Sequence, residues 1–104
     1  MHEITIEWPA EANEQGRPMR WFGSWLVGGQ GGEGRWFYSG TGGGAESYVV
    51  PVEATGVRIR RWPSDGLDAE YADILNVPPA MRVSADALDF DVRQPFSLLP
   101  EEFH

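Results

Sequence analysis

Sixteen carboxylates and eight arginines carry nearly all the polar chemistry open to this chain of 104 residues, which has no cysteine and no lysine. Its two histidines are His2 and His104. A serine triad needs an imidazole held by a buried acid, and chain ends seldom hold one in place. The same argument disfavours a histidine metal site. Carboxylates alone remain. Asp86, Asp89 and Asp91 could offer oxygens to a hard cation. However, strand alternation puts Asp89 and Asp91 on a wet side in any case, and no turn glycine follows them. Two acids beside a tryptophan could hydrolyse a glycoside, yet any pair among sixteen fits that description. The residues therefore predict no catalytic group, no metal and no cofactor.

Glycine patterns are equally unproductive. Gly29, Gly31 and Gly34 satisfy the spacing G-x-G-x-x-G, but that motif needs a helix after it to receive a pyrophosphate. Here Arg35-Trp36-Phe37-Tyr38 follows, which reads as strand. The run from Gly40 to Gly44 could form an anion-binding nest, but it lacks the lysine that a nucleotide loop supplies. A glycine-rich hairpin connection explains it better.

Two constellations are harder to set aside. Trp21, Trp25 and Trp36 stand on neighbouring predicted strands, and any that face outward could stack on a sugar ring or another flat ligand. The competing explanation is that they are simply core. The second is charge. Residues 1–62 hold six arginines against seven acids, whereas residues 63–104 hold two against nine. A net charge of -8 repels phosphate backbones and acidic membranes and attracts cationic surfaces. The expected partner is thus a protein with a basic surface, with no direct nucleic-acid contact and no membrane. Asp65, Asp68, Glu70, Asp73, Asp89 and Asp91 are the candidate partner-binding residues. A solvated face that aids solubility is the plainer explanation, but it accounts less well for the crowding of acids.

The elements that must position these groups read mostly as strands. Glu3 to Trp8 alternates, with Ile4, Ile6 and Trp8 on one side. Met19–Val27 and Arg35–Ser39 are rich in aromatic and β-branched residues, which suit a pleated, half-buried surface. Glu46–Glu53 is expected as the third strand of the same meander, at an edge or carrying a bulge, because Pro51 cannot donate to a ladder. In Gly56–Trp62, Val57 and Ile59 should face inward and Arg58, Arg60 and Trp62 outward. The texture then changes. Leu67, Tyr71, Ile74 and Leu75 fall at helical spacing after an N-cap at Ser64 or Asp65, and Pro78-Pro79 closes the run. That predicts one short helix near 65–76. Strands at 81–83 and 88–92 follow, and the apolar tail from Gln94 should dock along the core or on a partner.

The expected fold is mainly β (α+β): one domain over 1–104, an antiparallel meander curled into a half-barrel or small sandwich with that helix covering part of it. Ile6, Trp21, Trp36, Val50, Ile59, Tyr71, Leu75 and Phe90 are the expected core. No run of 18 apolar residues is present, and the first residues lack the basic and apolar segments of a signal peptide, so a cytoplasmic location is expected. The all-arginine basic set, with much glycine, alanine and proline, suits a GC-rich bacterial or phage gene. In size, acidity and lack of catalytic groups the chain resembles small inhibitor and immunity-type proteins as a broad class. The acidic face of the helix and the last strand predicts a non-enzymatic protein-binding module that engages a basic surface of its partner, such as a nucleic-acid-binding site that it blocks. The alternative is a small-ligand or carbohydrate-binding β domain that uses the tryptophan strands and glycine loops.

Overall fold

In the computed structural model, residues 2–28, 32–62, 68–90 and 92–95 are described, without the side chains of 68 and 92–95. Among the described residues eight strands run in the order β1 (Glu3–Trp8), β2 (Arg20–Val27), β3 (Gly32–Gly40), β4 (Gly44–Val49), β5 (Ala54–Trp62), β6 (Asp68–Leu75), β7 (Ala80–Ser84) and β8 (Val92–Pro95). They form two sheets. One has the order β4-β1-β7; the other is β3-β2-β5-β6-β8. Every pairing is antiparallel except β1 with β7. The protein is mainly β, as its alternating apolar residues predict.

The core lies between the sheets. Alternation on β1 delivers Ile4, Ile6 and Trp8, which meet Trp21 and Trp25 of β2 and Val57 and Ile59 of β5. A tryptophan buried here needs a partner for its indole N–H. Trp8 Nε1 donates to the Tyr48 hydroxyl at 3.0 Å, and Trp21 Nε1 donates to the Pro9 carbonyl at 3.0 Å. The β2–β3 ladder shifts register after Gly23, which is opposite Tyr38, so that Ser24 is opposite Trp36. Phe37 is the extra residue of this bulge, and both Phe37 and Tyr38 consequently turn toward the core. Tyr38 stacks on Trp8 with ring centroids 4.1 Å apart, and Phe37 stacks on Trp25 at 4.3 Å.

Three expectations need correction. Residues 68–75 of the predicted helix form strand β6, not a helix. An i, i+4 pair such as Tyr71 and Leu75 shares a face in a strand as well as in a helix, so that spacing does not discriminate. What decides is pairing: β6 places Asp73 opposite Arg58 and Glu70 opposite Arg61, and directly opposed opposite charges stabilise a ladder. The described helix is a single 3-10 turn, Ala85–Ala87, at the junction between the last two expected strands, and the strand expected over 88–92 does not form at residues 88–90. Second, β4 does not continue the meander. It leaves β3 and pairs with β1 in the other sheet, as an edge strand that ends before Pro51. Third, two of the expected core residues are open to solvent, Trp36 at 37% and Leu75 at 62%. Ile6, Trp21 and Ile59 are fully buried, and Val50, Tyr71 and Phe90 are half-buried.

Candidate functional site

The outer face of the five-stranded sheet receives the side chains that alternation turns away from the core: Phe22 and Ser24 from β2, Arg58, Arg60 and Trp62 from β5, Tyr71 and Asp73 from β6. They form a charged cluster under an aromatic rim. Arg58 and Arg60 are 2% and 1% exposed, so the outward strand positions do not leave them in water. The Glu33 carboxylate is also buried. Arg60 Nη2 lies 2.5 Å from Glu33 Oε1, and Ser24 Oγ hydrogen-bonds the other oxygen of the same carboxylate. Arg58 grips Asp73 through two bonds, Nε to Oδ1 at 2.7 Å and Nη2 to Oδ2 at 2.8 Å. Burial works against the Arg58 charge. The hydrogen-bonded Asp73 carboxylate, with Glu33 and Tyr71, more than offsets it, so the guanidinium pKa stands above its ordinary value. Phe22 lies edge-on to Trp36 at 4.7 Å and to Trp62 at 4.6 Å. Tyr71 covers the Arg58 guanidinium at 4.6 Å.

Among the tryptophans of the ligand-platform reading, Trp21 and Trp25 are core residues, 0% and 5% exposed. They cannot stack on a ligand without unpacking the sheets. Trp36 alone faces outward. The glycine run offers no anion nest either. Gly42 N donates to the Tyr38 hydroxyl and Gly43 N to the Trp8 carbonyl, so those amides are spent on the fold. Gly42 also has φ +84°, and a Cβ there would meet the Pro9 carbonyl.

Of the six candidate acids, Glu70, Asp73 and Asp89 have described side chains. Asp65 and Asp91 lie outside the described residues, and the side chain of Asp68 does too. Glu70 is buried, with Arg61 Nε on its carboxylate at 2.7 Å. Asp73 is committed to Arg58. Asp89 is exposed. Asp86 accepts from Ser84 Oγ at 2.6 Å and is held low by that bond and by Glu11. Glu11 is pushed up by partial burial and by its hydrogen bond to, and repulsion from, Asp86.

Three of the eight arginines are thus consumed by Glu33, Glu70 and Asp73 on one sheet. Negative charge remains on the other. Glu3 and Glu7 lie on the wet side of β1, and Glu46 stands exposed on β4. Arg82 is the one arginine on that sheet's strands. The alternation of β1 places Glu3 and Glu7 there from sequence alone. No local signal identifies Glu46, because its exposure follows from β4 joining β1 at an edge. Beyond β4 lies an apolar groove of about 710 Å³, lined by His2, Val49, Val50, Pro51, Val52 and Ala54. Among the described residues no three His, Asp or Glu side chains are grouped to hold a metal, and no helix is long and apolar enough to cross a membrane.

No protein-family model, curated protein or solved structure matches the chain.

Proposed function

We propose that the protein is a non-enzymatic protein-binding module that covers a basic surface of a partner, in the manner of an inhibitor or immunity-type protein. The observation that carries this reading is the division of charge between the sheets. On the five-stranded sheet Arg58, Arg60 and Arg61 are neutralised by acids of the same molecule. On the outer face of the three-stranded sheet Glu3 and Glu7 are exposed beside a single arginine, Arg82, and Glu46 is exposed on the other face, at the β4 edge. A basic surface meets its complement there, and the net charge of -8 steers the encounter. A nucleic-acid-binding surface is the kind of basic surface such a module would block.

The test starts from the protein recovered by pull-down from the source cells. Its on-rate should fall steeply as salt rises to 150 mM, where charges are screened beyond about 8 Å. The triple variant Glu3→Gln, Glu7→Gln, Glu46→Gln should slow association about tenfold and leave unfolding by urea nearly unchanged, since exposed charges contribute little to stability. An association indifferent to both removes the charge argument.

One observation favours a second reading. Trp36, flanked by Phe22, presents an aromatic surface on the opposite sheet. A flat ligand or sugar ring stacked there would change tryptophan fluorescence without salt dependence.

A further inference from the structure

We infer that the protein takes its partner by strand addition: an extended segment pairs antiparallel along the free edge of β4, with a basic side chain opposite Glu46 and an apolar one opposite Val50. This rests on the protein-binding reading above and names the form in which the partner is bound.

The edge itself is the first observation. β4 pairs with β1 over six residues, Gly44 to Val49, without a register shift. Among the described residues it has no second neighbour. Residues 44–47 are all exposed. In an antiparallel ladder, hydrogen-bonded and non-hydrogen-bonded pairs alternate. Val50 N donates to the His2 carbonyl at 2.9 Å, and Val50 falls opposite His2 when the Glu3–Val49 register is continued. Tyr48 and Glu46 therefore turn their backbone polar groups toward β1, while Ala45, Ser47 and Val49 turn theirs to the free edge. Three N–H and three C=O groups point outward in a row. The other edges are less open. β3 is bulged at Phe37, β7 is only five residues long and follows Pro78-Pro79, and β8 is four residues long and ends on Pro95. Bulges, short length and nearby prolines are the usual guards of a sheet edge.

The second observation is what flanks this edge. Side chains at 46, 48 and 50 share one face. Glu46 sits there as an exposed carboxylate, and four residues on, about 13 Å along a strand, Val50 opens into the apolar groove with Val49, Pro51 and Val52. An incoming antiparallel strand meets Val50 first and Glu46 second, so its pattern is apolar-x-x-x-basic. The outer-face residues Ala45 and Ser47 are small and set no demand. Charge also selects against a second copy of this chain pairing through the same edge, because two molecules each at -8 repel and β4 carries no basic residue to place opposite Glu46.

The probe is a capped heptapeptide, Thr-Val-Thr-Thr-Thr-Arg-Thr, and its control carries glutamate in place of arginine. With the intact 15N-labelled protein, the arginine peptide should give saturable shifts and slowed hydrogen exchange at the amides of Ala45, Ser47 and Val49. The control should give neither. Ser47→Pro removes an outward N–H and leaves the β1 ladder intact, so it should abolish the shifts. Should that variant misfold, Glu46→Arg decides instead, and its preference should switch to the glutamate peptide. Absence of saturable shifts at those three amides overturns the inference, as does their protection by protein concentration alone, which would place a second copy on the edge. If Ser47→Pro leaves a salt-sensitive association with the recovered partner untouched, strand addition is wrong while the basic-surface reading stands.

Discussion

Glu33, between Gly32 and Gly34 on β3, has a side chain only 2% exposed and holds Arg60 and Ser24 together. Removing one member of a buried pair strands the other charge, so Glu33→Ala should lower stability by about 3–5 kcal/mol in urea unfolding. Replacing the pair together, Glu33→Leu with Arg60→Met, should recover much of that loss, because the desolvation penalty disappears with both charges. Tyr48 makes a second residue-level case. Burial first of all, with the neighbouring charges of Glu46 and Tyr38, pushes its pKa up to about 12, although the Trp8 indole N–H bonded to it works the other way. A phenol whose folded pKa exceeds its unfolded value stabilises the fold below the unfolded value. That contribution is present below about pH 10 and is lost as pH rises toward about 12. Ultraviolet titration should show one tyrosine ionising late. Tyr48→Phe should cost about 1–3 kcal/mol, because it leaves the buried Trp8 N–H without an acceptor.

Among the elements, β6 carries the sharpest test. Its Asp73 stands opposite Arg58 across the β5 ladder. A double-mutant cycle with Arg58→Met and Asp73→Asn should give a coupling within about 0.5–3 kcal/mol; no coupling would contradict the strand. The β2–β3 bulge is equally specific. Gly23 lies beneath the Phe37 ring, and a Cβ there would come within 2.6 Å of it. Gly23→Ala should therefore cost about 1–3 kcal/mol through overpacking, and the additional change Phe37→Leu should relieve part of it.

For the molecule as a whole, the two sheets share one core through Trp8 and Trp21, whose ring centroids are 6.3 Å apart. Neither sheet can lose its partner without exposing those rings. Tryptophan fluorescence and far-ultraviolet circular dichroism should report one coincident unfolding transition. Two separated transitions would show that the sheets hold together independently.

The sequence by itself determined the strand class, the inward set Ile4, Ile6, Trp8, Val57 and Ile59, and the wet positions of Glu3 and Glu7, because a period of two is a local property of the backbone. It also determined the net negative charge that any partner must meet. Tertiary structure decided the rest. Whether Tyr71 and Leu75 ride a helix or a strand depended on Arg58 and Arg61 waiting on β5, and short stretches take the form their neighbours can pair with. Whether an acid is an interaction group or an internal counter-ion depended on which arginine lies across the ladder: Glu70 and Asp73 are spent inside the five-stranded sheet, and Glu46 is not. The free edge of β4 is the clearest case. A strand carries the same residues at an edge or in the middle of a sheet, and only the sheet order leaves the backbone groups of Ala45, Ser47 and Val49 facing outward.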